Sequence, residues 1–247
     1  MVLRLAALAA LLWVASLPAQ VKDRTRPGGE IESQIVKALN KSVRCKKIQV
    51  QATYSAERPT ELERLAIKMD EIEIQQLIAD HMTVVYEKPV INTNKLKKDQ
   101  QLEFISSSKT KVSILASAKS LEQYLMRKAA QFNKKNVRIS LKFSPPYIEC
   151  LYDVPANEIA SESVELLKTF IRGGKVEGYA AFKIEVKENA LYAFSSKVIT
   201  NHFLIPNPIL NLFQSKFNPF DQIQVVKPFQ YTLSNLTVQS KYMFMTN

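Results

Sequence analysis

The chain has 247 residues, 46% hydrophobic and 23% charged, a balance that excludes a disordered or low-complexity polypeptide and allows one sizeable core or two small ones. Its five glycines, at positions 28, 29, 173, 174 and 178, form no Gly-rich phosphate loop, which sets nucleotide-binding enzymes at a disadvantage. The 34 Lys and Arg against 23 Asp and Glu leave a net charge of +11, a surface biased toward nucleic acid, anionic lipid headgroups or acidic glycan.

The opening residues, MVLRLAALAALLWVASLPAQ, carry one positive charge at Arg4, an apolar run from Leu5 to Leu17 and a small residue at Ala19. These are the features of a secretory signal peptide, residues 1–19, cut after Ala19. The run is shorter than the ~20 apolar residues a spanning helix needs, and no cysteine near its end offers a lipid attachment point. The expectation is an exported protein, periplasmic or extracellular, with residues 20–30 as a linker and 31–247 as a single domain. Export removes nucleic acid from the expected partners and leaves envelope lipids and glycans. Cutting after Ala19 removes only Arg4 from the charged residues, so the basic character belongs to the exported chain. An oxidising compartment would let Cys45 and Cys150 pair. Cys150 also alternates with Ile148, Tyr152 and Val154 as an inward strand residue would, so a disulfide and a free core thiol both stay open. Asn40-Lys41-Ser42 and Asn235-Leu236-Thr237 would be glycan acceptors in a eukaryotic secretory pathway.

After the linker, Ile31, Ile35, Leu39 and Val43 recur at every fourth position, the stripe of an amphipathic helix. A strand with one wet face follows at Ile48, Val50, Ala52 and Tyr54. The alternation returns at Leu65, Ile67 and Met69, then at Ile72 and Ile74, and the change of parity across Asp70-Glu71 predicts a β-bulge. A second helix is expected from Ser120, which has capping-box spacing to Gln123 and is followed by the stripe Leu121, Tyr124, Leu125, Ala129 and Phe132.

Strands at Val137 to Phe143 and Ile148 to Val154 flank a turn at Pro145-Pro146. Further alternating sets are Val164 and Leu166; Val176, Ala180, Phe182, Ile184 and Val186; and Tyr192, Phe194 and Val198. A third helix is signalled by Asn207-Pro208, carries Ile209, Leu210, Phe213 and Phe217, and ends at Asn218-Pro219. The closing strands are Ile223 and Val225, Tyr231 and Leu233, then Leu236, Val238, Tyr242 and Phe244. Helix followed by strands occurs three times, and the first two cycles read as a diverged internal duplication.

Chemistry-bearing patterns are sparse. There is no G-x-S-x-G elbow, no H-E-x-x-H and no C-x-x-C, so no catalytic residue, metal ligand or cofactor is expected, and the chain is not read as an enzyme. Glu71 and Glu73 share a strand face and read as its solvated side rather than as a glycosidase pair. His202 is the histidine to watch, because it lies in the most distinctive segment.

That segment, KVITNHFLIPNPILNLFQSKFNPFDQIQVVKPFQYTLSNLTVQ from Lys197, resembles the C-terminal signature of the LmeA family of exported bacterial phospholipid-binding proteins. Asn201, Phe203, Ile205, Pro206, Phe217, Asn218, Pro219, Pro228 and Phe229 stand at the places of that signature. The resemblance implies an α+β fold in which a long, curved antiparallel β-sheet wraps around a few amphipathic helices, similar to tubular lipid-binding folds. It further implies non-catalytic binding, with carriage as one use, of phospholipid or another acyl lipid. An apolar groove with a basic rim would hold the lipid at an anionic membrane surface. Phe203, Leu204, Ile205, Leu210, Phe213, Phe217 and Phe220 are the candidate lipid-binding residues, with core packing as the competing reading of the same spacing. The alternative function is a structural or interaction domain that grips anionic glycan or a partner protein.

Overall fold

The computed structural model describes residues 28–74, 76–131, 136–155, 174–187, 190–207, 228–229 and 231–247. Helix α1 (Gly28–Ser42) enters the expected linker by three residues and buries Ile35, Ala38 and Leu39, with Val43 just beyond its end. After it come β1 (Lys47–Tyr54), β2 (Leu62–Ile74) and β3 (Leu77–Glu87). A hairpin of β4 (Val90–Ile91) and β5 (Phe104–Ser106) encloses one π-helical turn, Lys95–Asp99, and leads to β6 (Lys109–Ser117). Helix α2 (Ala118–Gln131) precedes β7 (Arg138–Ser144), β8 (Tyr147–Pro155), β9 (Lys175–Lys187), β10 (Ala190–Thr200) and β11 (Phe203–Leu204). Strands β12 (Asn235–Val238) and β13 (Tyr242–Thr246) complete the described elements.

The chain is α+β and mainly antiparallel sheet, as expected, but the strands divide. Six form one sheet in the order β1-β2-β3-β6-β13-β12, five form a second in the order β11-β10-β9-β8-β7, and β4-β5 stands as a two-stranded hairpin. A single long sheet is therefore not what the described strands build. Residues of both sheets enter one buried cluster, with Ile67, Val84, Ile114 and Met245 from the first and Leu141, Phe143, Ile148 and Ile184 from the second. Helix α2 lies against β3 and β7 and places Leu121 and Tyr124 between the sheets. A fully buried Leu, Ile or Phe contributes about 1.5–3 kcal/mol by leaving water, so this shared interior is what makes two sheets into one body.

Each helix also closes an open sheet edge. The Ala52 N–H on edge strand β1 donates to Glu32 Oε1 of α1 at 2.6 Å, and the Leu141 N–H on edge strand β7 donates to Glu122 Oε1 of α2 at 2.6 Å. An edge strand otherwise presents unpaired backbone donors that invite other chains.

Several expectations are corrected. Helix α2 begins at Ala118 with Ser117, not Ser120, at its cap: Ser117 Oγ accepts the Ser120 N–H at 3.3 Å. Asp80 of β3 completes that cap, accepting the Ser117 N–H at 2.6 Å and the Ser120 hydroxyl at 2.9 Å. The parity change at Asp70-Glu71 is real and Glu71 has φ of +49°, but no residue is added, because Asp70 still faces His81 and Ile72 faces Ala79. Both strands change phase together, from Met69 and Met82 to Ile72 and Ala79, which leaves the register intact. In β10, a register shift between Ser195 and Lys197 turns Tyr192 and Phe194 away from the side that Val198 shares with Leu191. Tyr231 and Leu233 are buried but not in a strand. The set at Val164 and Leu166, the third helix and the set at Ile223 and Val225 lie outside the described residues.

Cys45 and Cys150 are free thiols. Burial, with Glu122 adding to it, pushes the Cys150 thiol up to about 11, and burial pushes the Tyr231 hydroxyl up to about 12.

Two tests follow from this architecture. Asp80→Ala strips the α2 cap of its carboxylate and should cost about 1–3 kcal/mol, read as a fall in the thermal midpoint. An unchanged midpoint would remove Asp80 from the cap. At alkaline pH the unfolded chain ionises Cys150 near its ordinary 9.0 while the folded chain holds the proton to about 11, so stability should fall across that window. The Cys150 share is of the order of 2–3 kcal/mol, at about 1.4 per tenfold in proton affinity. In Cys150→Ala the lost side-chain volume costs the same at every pH, so a shallower alkaline slope of the midpoint is the expected readout.

Candidate functional site

The outer face of the five-stranded sheet carries the described feature with the most chemistry. Strand alternation assigns Leu141, Phe143, Ile148, Cys150, Phe182 and Ile184 to the core side, so Ser140, Leu151, Tyr179, Ile199 and Leu204 point outward. The ladder aligns these five in a single row: Ser140 faces Leu151, Leu151 faces Tyr179, Tyr179 faces Ile199 and Ile199 faces Leu204. Each strand contributes one residue, and four of the five are apolar. Leu151 is 58% and Leu204 63% exposed, unusual for leucines that lie in one continuous strip.

Beside the strip runs a charged row. Arg138 faces Asp153 and Asp153 faces Glu177, with Lys175 bridging Glu177 at 2.5 Å and Asp153 at 3.9 Å. The Lys175 ammonium holds the Glu177 carboxyl below its ordinary range, with a smaller push from His202, and Glu177 in turn raises the Lys175 ammonium. Between the two rows lies an open cleft of about 500 Å³ whose walls include Arg138, Leu151, Glu177, Tyr179, Ile199 and His202. Its rim is of mixed sign rather than basic.

Two local devices shape the cleft. Asn201 and His202 are consecutive left-handed residues, φ +45° and +72°, between paired Thr200 and Phe203, which makes them the two-residue turn of the β10–β11 hairpin. Asn201 tolerates that conformation, and its buried amide stitches the turn to β9: Oδ1 accepts the Glu177 N–H at 2.9 Å and Nδ2 donates to the Lys175 carbonyl at 3.1 Å. Opposite, Gly178 allows β10 to approach β9 closely. A Cβ there would lie 2.0 Å from the Ile199 carbonyl oxygen and 2.8 Å from the Tyr152 hydroxyl. That hydroxyl spans the gap, donating to the Ile199 carbonyl at 3.3 Å and meeting the Thr200 hydroxyl at 2.5 Å.

The candidate lipid-binding residues are distributed unequally. Leu204 belongs to the apolar strip. Phe203, 39% exposed, lies on the opposite side of β11, and Ile205 is 6% exposed and part of the interior. Leu210, Phe213, Phe217 and Phe220 lie outside the described residues. Of the signature positions, Asn201 makes the turn, Phe229 is buried in the core and Pro206 is exposed. Leu151, Tyr179 and Ile199 were not among the candidates, although the odd-numbered parity of β8 and β9 in the sequence already separated Leu151 and Tyr179 from the core set.

Other clusters carry less. His81 Nδ1 meets Asp70 Oδ1 at 2.9 Å on an exposed part of the first sheet. Nearby, Glu71 pairs with Lys46 at 2.5 Å and Glu73 with Arg44 at 3.7 Å, which ties up the carboxylates considered for acid-base work. Burial and Asp70 push the Cys45 thiol up, the reverse of what an activated nucleophile needs. Among the described residues no group of three or more His, Cys, Asp and Glu could hold a metal ion, and no helix is long and apolar enough to cross a membrane. No protein-family model matches the chain, and neither does any curated protein or solved structure.

Gly178→Ala tests how the cleft is built. The clash is with backbone, so β10 must shift. The expected result is a loss of about 2–3 kcal/mol in denaturant unfolding, together with loss of amide-exchange protection at Glu177 and Asn201. Wild-type stability in this variant would show that the close approach is not required.

Proposed function

We propose that this protein is a non-catalytic binder of phospholipid or a similar acyl lipid in the bacterial cell envelope, with an acyl chain lying along the outer strip of the second sheet. The observation that carries the reading is the in-register row Leu151, Tyr179, Ile199 and Leu204 beside a cleft of about 500 Å³ with a charged rim. An amphiphile needs both elements, a strip that covers methylenes and a polar margin that fixes the head. Each methylene removed from water contributes ~0.8 kcal/mol, so a partly covered tail suffices for useful affinity. Arg138 on the cleft wall supplies a cation for a phosphate, with Lys175 behind it bridged to Asp153 and Glu177, and these two carboxylates supply acceptors for an amine or hydroxyl on the same headgroup. The resemblance of the segment from Lys197 to the LmeA family and the signal-like leader point the same way.

The test is native mass spectrometry of the chain purified without detergent, followed by displacement of a fluorescent acyl probe. A bound lipid mass is expected. Replacing Leu151 and Leu204 together by Asp leaves exposed positions exposed and should weaken probe binding more than about tenfold, since each leucine contact is worth ~1 kcal/mol or more. No bound lipid and no probe displacement would sink the reading.

A further inference from the structure

The charge of the chain is not evenly spread. Between Lys88 and Lys111 the sequence holds Lys88, Lys95, Lys97, Lys98, Lys109 and Lys111 against only Asp99 and Glu103, a surplus of four within a net +11. This stretch is the β4–β5 hairpin with its π-helical turn and flanks.

The hairpin is a built platform rather than a loose loop. Ile91, Leu96 and Leu102 are buried, and Phe104 stacks on Tyr86 of β3 with ring centroids 4.0 Å apart. Asn92 organises its base, with Oδ1 accepting the Lys95 N–H at 3.1 Å and Nδ2 donating to Glu103 at 2.7 Å, while Lys95 Nζ reaches Glu103 at 2.8 Å. Lys111 is held by Glu87 at 3.2 Å. Lys88, Lys97, Lys98 and Lys109 are exposed, Lys109 opposite Glu87 in the β3–β6 ladder. The same hairpin exposes two aliphatic side chains at its register shift, Val90 at 49% and Ile105 at 64%, where Val90 pairs with Ser106 and Ile91 with Phe104.

We infer that the β4–β5 hairpin is the element by which the protein docks on an anionic bilayer, with Lys88, Lys97, Lys98 and Lys109 at the headgroups and Val90 and Ile105 inserted between them. Charge complementarity supplies the attraction, at a distance the Debye length permits, and aliphatic rather than aromatic tips suit lipid better than stacked bases. The burial of Leu96 and Leu102 and the stacking of Phe104 on Tyr86 hold the hairpin against the interior, so docking requires no prior ordering. This extends the lipid-binding reading of the second sheet and concerns different residues, so the two fail separately.

The experiment is co-sedimentation of the full chain with vesicles of phosphatidylcholine alone or with 30% phosphatidylglycerol, beside retention on heparin. The expected result is binding to the anionic vesicles only, reduced at 0.5 M salt. Lys97→Glu with Lys98→Glu should weaken it by roughly tenfold or more, and Val90→Ser with Ile105→Ser by several-fold, while Lys97→Arg with Lys98→Arg keeps it. Unchanged thermal midpoints and unchanged displacement of the acyl probe confine the effect to docking. Three results would overturn the inference and leave the cleft reading standing: no anionic-vesicle binding, vesicle binding indifferent to the lysine reversals, or full binding in the Val90/Ile105 variant with strong heparin retention, which would mark a general polyanion site.

Discussion

Among the described residues, two antiparallel sheets sharing one apolar interior leave their outer faces and their projections for function, and the cleft and the hairpin both follow from that constraint. The shared cluster runs from Ile67 and Val84 on one sheet through Leu121 and Tyr124 of α2 to Ile148 and Ile184 on the other. Because inner residues are committed to that cluster, alternation forces their neighbours outward. On most strands these neighbours are charged or polar. On the second sheet one row is not, and that row borders the cleft.

The helices serve the same arrangement in a second way. By lending Glu32 and Glu122 to the backbone of β1 and β7, they protect two edges that would otherwise be open to pairing with other chains. Asp80 ties the start of α2 to β3, so the helix is registered against the first sheet while its glutamate is registered against the second. The second sheet is thereby held at a defined position on the interior, and the opposite end of that sheet, at β11, carries the exposed Leu204.

Charge and apolarity divide between the proposed sites. The cleft rim sets Arg138 opposite Asp153 and beside Glu177, with Lys175 bridging the two carboxylates from outside the lining, and its mixed sign is what the proposed headgroup would meet. The hairpin keeps a surplus of lysine around aliphatic tips and suits a surface of one sign. A net charge of +11 therefore describes neither place: the cleft is nearly balanced, the stretch from Lys88 to Lys111 holds four of the surplus charges, and the rest are spread along the chain.

Much of the fold is legible along the chain because period alone reveals it. The stripe Ile35 and Leu39, the wet-faced β1, the β7–β8 hairpin around Pro145-Pro146 and the inward Cys150 all come from spacing that each segment carries within itself. The central strands β3 and β6 are not evident in the sequence: the alternation of β3 changes parity at Asp80-His81, so neither half is long enough to stand out. The hairpin between them is irregular, with a π-helical turn and Gln100 in a left-handed conformation. Leu204 and Ile205 are equal candidates in the sequence, because adjacent apolar residues differ only in which face they meet, and the structure exposes the first and buries the second. What the sequence by itself determined is which residues prefer to be buried and where the chain changes direction. Only the tertiary structure decided that Ser140, Leu151, Tyr179, Ile199 and Leu204 stand in one row, because parity assigns a residue to a face, whereas the register that lines up five strands depends on turns, a shift at Ser195 to Lys197 and the close approach at Gly178.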